Sequence, residues 1–313
     1  RMKPVIDIIL HHYPVSPFAE KIRCILGAKQ LAWKSVIIPR VMPKPDVVAL
    51  TGGYRKTPIL QLGANIICDT SLIARKLNAL APMPDLYPAH AAMSAPAVAA
   101  WADSVLFNSA VPLAFLPEVL AQTFAGREVE MQTLIADRAA MRKDSPLPRL
   151  PAHEARNNFV MTLGKLEKEL AIGTTYLFGN SPTIADFAVY HPLWFVATKP
   201  VVGDVFKNYP HVRRWMSSIQ ALGHGKSTEI NSAEAIAIAR NAKIVLEGEG
   251  SLLPNLQPGD TIVVAPTDYG MDPVQGKLAY CNEVEVVLTR EDERAGKVAV
   301  HFPRVSYSIR KAE

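Results

Sequence analysis

Residues 13–23 read Tyr-Pro-Val-Ser-Pro-Phe-Ala-Glu-Lys-Ile-Arg, and they follow an apolar, β-branched run at residues 5–10. Serine is favoured at the N-cap of a helix and proline at its first position, so Ser16 and Pro17 predict a helix start. The spacing of Phe18, Ile22 and Ile25 supports a helix that continues from there. This turn lies at the carboxyl end of a strand, which is where open α/β sheets bind ligands.

The alternation of strand and helix signals continues to about residue 81. Residues 33–38 return to strand character, and a connection rich in proline and glycine leads from there to Pro58. Residues 59–62 and 66–68 flank Gly63-Ala64-Asn65 and predict a hairpin. Apolar residues at positions 73, 77 and 80 then mark one face of another helix. The order strand, helix, strand, loop, strand, strand, helix predicts a small α/β domain at residues 1–81.

Two further compositions follow along the chain. Residues 82–88 form a proline-rich linker, and Ala-rich helical stretches then predict an all-helical domain at residues 89–243. From residue 244 onward, short segments alternate with a period of two, at residues 261–265, 283–288, 297–302 and 305–309. They predict a small antiparallel β domain at residues 244–313, either a sheet or a half-barrel.

Charge and cysteine content narrow the class of protein. The formal charge is +5, with +8 in residues 1–81 and −4 in residues 244–313. The lysines and arginines of the first domain are dispersed, so we expect a small anionic ligand and no nucleic acid. Three scattered cysteines and the lack of a glycosylation sequon predict a reducing, cytoplasmic location. The apolar residues 89–121 are interrupted by Asp103 and Glu118, so we expect no membrane span and no membrane partner.

Two later motifs also place polar groups at the ends of elements. Lys56-Thr57-Pro58 precedes a strand, and the proline lacks a backbone donor, so it marks a strand start or a sheet edge. Asp69-Thr70-Ser71 predicts another helix start, at which Asp69 caps free backbone amides. Taken alone, each motif is explained by a turn or a cap, and the same holds for Ser16.

The three motifs together, in this order of elements, resemble the thioredoxin-like N-terminal domain of cytosolic glutathione transferases. The segment Gly179-Asn-Ser-Pro-Thr183-Ile-Ala-Asp186-Phe resembles the capping-box segment of the same family. Its Thr-x-x-Asp spacing satisfies two amides reciprocally, so we expect it to serve folding. The resemblance covers roughly residues 5–222 and implies a thioredoxin-like domain followed by a helical one. The β tail lies outside the common two-domain pattern.

The resemblance implies a role for each motif residue. Ser16 matches the hydroxyl that serine-type members place beside the glutathione sulfur, where it favours the thiolate. The backbone of Thr57, ahead of a cis-proline at Pro58, would pair with the cysteinyl part of glutathione. Asp69 and Thr70 match the Glu-Ser pair that holds the γ-glutamyl amine and carboxylate.

Other assignments stay open at this point. Lys56 would reach the glycyl carboxylate as a point charge. The first loop also resembles tyrosine-type members, in which His12 or Tyr13 would face the sulfur. We favour Ser16 as the catalytic residue, with Tyr13 and Phe18 as substrate-binding neighbours. No cysteine occupies the position, which argues against the thiol-exchange members.

The helix after the linker carries the candidates for an electrophile pocket. The resemblance places this helix over the site, so Trp101, Asp103, Phe107 and Asn108 are predicted to line it. Ordinary packing explains Trp101 and Phe107 equally well. His11-His12 has no second pair of ligands at metal spacing, so we expect no metal.

The expected function is that of a glutathione transferase in detoxification. Glutathione would be the co-substrate, and its thiolate would attack a hydrophobic electrophile. The resemblance also implies a homodimer. Two alternatives remain. One is a glutathione-dependent isomerase, dehalogenase or peroxidase on the same site, and the other is a non-catalytic scaffold whose β tail recruits a partner.

Overall fold

The computed structural model describes residues 6–313, so the first residue of the strand predicted at residues 5–10 lies outside the described part. From residue 6 onward, the predicted order of strands and helices in the first unit is confirmed. It consists of β1 (Ile8–His12), α1 (Pro17–Ala28), β2 (Ala32–Ile37), α2 (Pro45–Thr51), β3 (Ile59–Leu62), β4 (Asn65–Cys68) and α3 (Thr70–Leu80).

The helix α2 lies within what the sequence predicts only as a connection. Pro45 occupies its first turn, and Gly52 ends it with a φ of 82°. That left-handed conformation favours glycine, so the same proline and glycine that suggest a loop here begin and end a short helix. The hairpin of β3 and β4 turns at Gly63, whose φ is 61°, as the sequence predicts.

The helical region packs as a layer on this unit. It is formed by α4 (Ser94–Trp101), a π-helical turn (Ala102–Leu106), α5 (Phe107–Ala114), α6 (Pro117–Thr123), α7 (Glu128–Arg142), α8 (Ala152–Leu170), α9 (Ile184–Ala197), α10 (Pro200–Gly203) and α11 (Pro210–Gln220). Among residues 6–313, only Ser94–Ala114 is long and apolar enough to cross a membrane by length and composition. It packs against α9 and carries the ion-paired Asp103 near its middle, which identifies it as a core helix.

The chain then returns to the first unit. β5 (Lys226–Glu229) pairs in parallel with β2, and α12 (Ser232–Asn241) packs near α2. Strand β5 has the sequence Lys-Ser-Thr-Glu and all four residues are exposed. An exposed edge strand needs no apolar alternation, so the sequence reading of residues 89–243 as all-helical misses it.

The C-terminal residues form β6 (Thr261–Pro266), β7 (Val274–Cys281), β8 (Glu285–Asp292), β9 (Gly296–Pro303) and β10 (Tyr307–Lys311). Four of these strands are predicted from alternation, and β7 is missed. Its alternation is broken by Gly276 and by a β-bulge between Leu278 and Tyr280. A bulge inserts an extra residue and shifts the facing of the side chains, so the two-residue period disappears.

The ten strands found in residues 6–313 belong to one sheet, in the order β10-β6-β7-β8-β9-β4-β3-β1-β2-β5. The C-terminal strands are antiparallel to each other, and β9 joins β4 in parallel, with Ile66 opposite Val300. One hydrophobic core runs under the join, because Val36 and Ile66 share it with Val286 and Phe302. That residues 244–313 form a separate domain, with a boundary at residue 244, stays a prediction. Residues 244–313, which we call the extension, share both sheet and core with the first unit.

Candidate functional site

A cavity of about 980 Å³ opens where the first unit, the helical layer and the extension meet. Ser16, Thr57 and Asp69 line it from the first unit, Phe107 from the helical layer, and Asp268 from the extension. The three motifs singled out in the sequence therefore face one space, although they lie far apart along the chain.

Ser16 is the N-cap of α1 and is almost fully buried. Its Oγ accepts a hydrogen bond from the backbone N–H of Ala19 at 3.2 Å. The hydroxyl proton is then left to donate to a ligand, since a capping oxygen uses only its acceptor side. The N-terminus of α1 adds partial positive charge beside it, which favours an anion at this position.

Thr57 and Pro58 line the same cavity, and the peptide bond between them is cis, as expected from the resemblance. Strand β3 begins directly afterwards and pairs with both β1 and β4. The Oγ1 of Thr57 accepts a hydrogen bond from the Nζ of Lys44 at 3.4 Å. The loop is therefore fixed from two sides at the cavity wall.

Asp69 begins α3 with a φ of 77°, a conformation that few residues with a side chain adopt. Its Oδ1 accepts hydrogen bonds from the backbone N–H of Ser71 at 2.9 Å and from the Ser71 hydroxyl at 2.7 Å. Its Oδ2 accepts from the hydroxyl of Tyr307 in the extension at 3.0 Å. Both carboxylate oxygens are thus oriented, and a strained backbone held by its surroundings is typical of binding sites.

Thr70 connects the start of α3 to a buried charge network. Its Oγ1 accepts a hydrogen bond from the Nζ of Lys21 at 3.0 Å, and the same ammonium is paired with Asp103 at 2.7 Å. The other oxygen of Asp103 lies 2.8 Å from Nε2 of His191. Burial would raise the pKa of Asp103, but Lys21 and His191 hold it below its usual range. Asp103 therefore stays ionised and fixes Lys21 beside Thr70.

Lys56 reaches the cavity but already has a partner. Its Nζ lies 2.7 Å from the Oδ1 of Asp268 and 4.0 Å from the centre of the Tyr269 ring. Lys44, which the sequence does not single out, is nearby and has no carboxylate partner among residues 6–313; its Nζ donates to the backbone oxygen of Arg55 at 3.2 Å. Burial, with Arg138 and Arg55 close by, lowers the pKa of Lys44 to about 8.

The structure separates the two alternatives in the first loop. Tyr13 lines the cavity, and its hydroxyl accepts a hydrogen bond from Arg138 at 3.2 Å. His12 is not among the residues that line the cavity. Its Nε2 lies 2.7 Å from Ser35 and its Nδ1 lies 2.9 Å from Arg23, so the ring is enclosed within the first unit.

The predicted electrophile-pocket residues divide in the same way. Phe107 and Asn108 line the cavity, and Phe18 packs edge-on against Phe107 with ring centres 4.6 Å apart. Trp101 does not line it and is 38% exposed. The π-helical turn that follows Trp101 shifts the register of the helix, which no residue spacing in the sequence indicates.

One cluster of potential metal ligands occurs among the described residues, away from the cavity lining. Glu20, Cys24 and His224 place their ligand atoms within 4.8 Å of each other. Glu20 accepts hydrogen bonds from His224 at 2.6 Å and from Cys24 at 3.2 Å, and it is paired with Arg23 at 3.0 Å. The hydrogen-bonding groups of this cluster are therefore already paired with one another, and Arg23 already neutralises the Glu20 carboxylate.

Comparisons with known proteins agree with this arrangement. The model of the glutathione S-transferase N-terminal domain matches residues 10–85, and that of the C-terminal domain matches residues 135–218. A GST-like protein from Pseudomonas syringae, whose crystal structure has been solved, is 40% identical in sequence to this chain. The match covers 98% of this chain and 99% of that protein, and the two structures superpose with a TM-score of 0.82. This chain belongs to the glutathione S-transferase family.

Two other solved structures share the glutathione S-transferase fold with part of this chain. A glutathione S-transferase from Rhodospirillum rubrum is 20% identical over 69% of this chain and 91% of its own, with a TM-score of 0.50. A beta-etherase from Sphingobium is 16% identical over 69% and 98%, also with a TM-score of 0.50. No protein of curated function matches. The Pseudomonas syringae protein spans the extension as well, whereas these two cover about two thirds of the chain.

Proposed function

We propose that this glutathione S-transferase family member conjugates the glutathione thiolate to an electrophilic small molecule. The observation that carries the proposal is that Ser16, at the N-terminus of α1, faces the same cavity as Asp69 and Thr70 at the N-terminus of α3. One helix start suits a thiolate, and the other suits a carboxylate with an amine beside it.

In this proposal the residues divide glutathione between them. Asp69 accepts from the γ-glutamyl ammonium, and Thr70 with the free amides of α3 receives the γ-glutamyl carboxylate. The backbone of Thr57 pairs with the cysteinyl part, and Lys44 takes the glycyl carboxylate with Lys56. Asp268 weakens the contribution of Lys56, because it already neutralises that ammonium.

The chemistry follows from the state of the sulfur. A free thiol has a pKa near ~8.5, so little thiolate is present at neutral pH. Donation from the Ser16 hydroxyl and the partial charge of the α1 N-terminus stabilise the thiolate, and the thiol proton passes to solvent. The sulfur then forms a bond to an electrophilic carbon positioned beside it, and the bond from that carbon to its leaving group breaks, with the electron pair departing on the leaving group (chloride in the test below). The proximity of the sulfur to the bound electrophile supplies much of the rate.

Replacing the Ser16 hydroxyl tests this mechanism. We expect Ser16→Ala to lower kcat/KM for conjugation of glutathione to 1-chloro-2,4-dinitrobenzene by roughly 10- to 100-fold, because a hydrogen bond to a charged group is lost. The pH profile should also move to higher pH. Ser16→Thr keeps both the hydroxyl and the cap, and it should retain most of the activity.

The same measurements separate the alternatives. Unchanged rate and pH profile in Ser16→Ala would refute the role of Ser16. Glutathione binding with isomerase, dehalogenase or peroxidase turnover but no conjugation would favour one of those enzymes. Binding without any turnover would favour a scaffold. A homodimer, a role in detoxification and a cytoplasmic location are part of the proposal, and sedimentation of the purified protein tests the first of them.

A further inference from the structure

The cavity has more cationic groups than one glutathione molecule requires. Nine lysine and arginine side chains line it, against four carboxylates. Three of those carboxylates are engaged: Asp69 by Tyr307, Asp103 by Lys21 and Asp268 by Lys56. Glutathione brings two carboxylates and one ammonium, and the groups named above at α3, Lys44 and Lys56 serve them.

Arg40 is the clearest of the remaining cations. It lines the cavity from the loop after β2, and within residues 6–313 its guanidinium has no carboxylate partner. Its Nε is buried and has no hydrogen-bond partner among those same residues. A buried donor without a partner is unfavourable, so an unfilled position of this kind marks where a ligand acceptor belongs.

The surrounding contacts hold Arg40 in place. Arg138 donates from both terminal nitrogens to the backbone oxygen of Arg40 at 3.3 Å, and Asp137 accepts from the backbone N–H of Met42 at 3.0 Å. The Arg40 guanidinium lies 5.8 Å from the centre of the Phe124 ring. Burial and the neighbouring Arg138 lower its pKa, although Tyr13 opposes this. The loop is therefore a built part of the wall, anchored to α7.

The wall of the cavity also contains a set of apolar side chains. Phe107, Phe115, Leu120, Ile135 and Phe195 line it from the helical layer. Phe115 and Phe195 pack edge-on, with ring centres 6.3 Å apart. A ligand that contacts both these side chains and Arg40 has an apolar, ring-sized body and one anionic group.

We propose that the second substrate is an aromatic or similarly apolar electrophile that carries a carboxylate, and that Arg40 binds this carboxylate. The inference rests on the proposed function, because it names the substrate class of the same site. Phe107 and Phe115 receive the body of the molecule, and its reactive carbon lies toward Ser16. The uncharged ester of such a substrate loses the ion pair but keeps the apolar contacts.

Two matched electrophiles test the proposal: 4-chloro-3-nitrobenzoate and its methyl ester. In each, the glutathione thiolate forms the C–S bond at the carbon that bears chlorine, and the C–Cl bond breaks with its electron pair leaving as chloride. We expect the protein to favour the acid over the ester in kcat/KM by about tenfold, after correction for the uncatalysed rates. Arg40→Met should abolish this preference, and added salt should weaken it.

A control variant and a second readout make the result decisive. Arg213→Gln replaces an exposed arginine on α11, away from the cavity lining, and should leave the acid-to-ester ratio unchanged. The two conjugation products, bound to the protein in a calorimeter, report the same preference without turnover. Equal ratios for acid and ester in wild-type protein, or a ratio unchanged in Arg40→Met, overturn the proposal. If neither electrophile reacts, the proposed transferase function fails for them, and the affinities of the two products decide the present inference.

Discussion

Single side chains of the extension reach the cavity-lining motifs of the first unit. Tyr307 donates to Asp69, and Asp268 pairs with Lys56. Both contacts join residues more than 200 positions apart in the chain, and each fixes or neutralises a group to which the family resemblance gives a binding role. The charge of this part of the cavity is therefore set jointly by the first unit and the extension.

Buried histidines make the free energy of unfolding depend on pH. His11 on β1 is 2% exposed, and its Nε2 lies 2.8 Å from the side-chain oxygen of Gln61. Burial lowers its pKa from 6.5 to about 4, although Gln61 and Asp46 oppose this. As the pH falls from 6.5 to 4, the unfolded chain takes up a proton that the folded chain refuses. The free energy of unfolding therefore falls, by roughly 3 kcal/mol for this group, and the loss ends below about pH 4.

Urea unfolding measured at several pH values across this interval checks the prediction. Burial also lowers the pKa of His12, to about 4, and that of His191, so we expect His11→Gln to remove part of the pH dependence and these two histidines to keep the rest. Glutamine keeps a hydrogen-bonding group opposite Gln61. His153→Gln alters an exposed histidine on α8 and should leave the slope intact. A slope that is the same in wild type and His11→Gln would show that His11 does not carry the effect.

At the level of elements, two capping boxes of the same design differ in burial. The box predicted at Thr183 and Asp186 is confirmed: Asp186 accepts from the backbone N–H of Thr183 at 2.8 Å. It also accepts from the backbone N–H of Leu177 and from Nε1 of Trp215, both at 2.9 Å. In the second box, Asn231 accepts from the exposed N–H of Glu234 at 2.9 Å.

This difference predicts unequal costs of removing the two caps. Asp186→Ala leaves three donors without acceptors, two of them buried and one partly buried, so we expect it to lower the free energy of unfolding by about 3 kcal/mol or more. Asn231→Ala leaves one donor, the exposed N–H of Glu234, to water and should cost about 1 kcal/mol. Denaturant midpoints of both variants, with unchanged slopes, test the pair. Equal losses would mean that burial of the box at α9 contributes nothing.

Elements whose signals are local are predicted well from the sequence. Ser16-Pro17 marks the start of α1 correctly, because N-cap chemistry is decided within a few residues. Strand β5 and strand β7 are missed for physical reasons: the first is an exposed edge, and the second carries a bulge. The cis bond before Pro58 enters only through the family resemblance, since no local pattern indicates it.

The candidate site is predicted in part for a related reason. Ser16, Asp69 and Thr70 lie at helix starts, and helix starts have a sequence signature. Lys44, Arg40 and Tyr307 reach the cavity region through tertiary packing, and isolated lysines, arginines and tyrosines elsewhere in the chain look the same. Trp101 is assigned to the pocket by the resemblance alone, and it does not line the cavity.

At the scale of the whole molecule, the extension completes the sheet that carries the site. Its strands share a core with β1, β2 and β4. We therefore expect a chain ending at residue 243 to be insoluble or to lack a cooperative unfolding transition, because large apolar surfaces of the first unit become exposed. Soluble expression and thermal unfolding by circular dichroism are the measurements.

The outcome also bears on the scaffold alternative. A tail that only recruits a partner is dispensable for folding, so a soluble truncated chain that still binds glutathione would contradict the shared core and support a separate module. As a control, the full chain with Val305→Ser alters an exposed residue of the extension and should fold normally. Loss of the transition in the truncated chain alone is the expected result.

The parallel pairing of β4 with β9 also determines when the protein can finish folding during its synthesis. Residues 65–68 leave the ribosome more than 200 residues before their sheet partner at residues 296–303 is made. Until then, the nascent chain presents unpaired backbone groups of β4 beside an incomplete apolar core. Closing so long a loop is slow, and an open strand of this kind attracts strands of other molecules. Production of this protein is thus expected to depend on chaperone capacity and on the rate of translation more than that of a two-domain relative of the same fold.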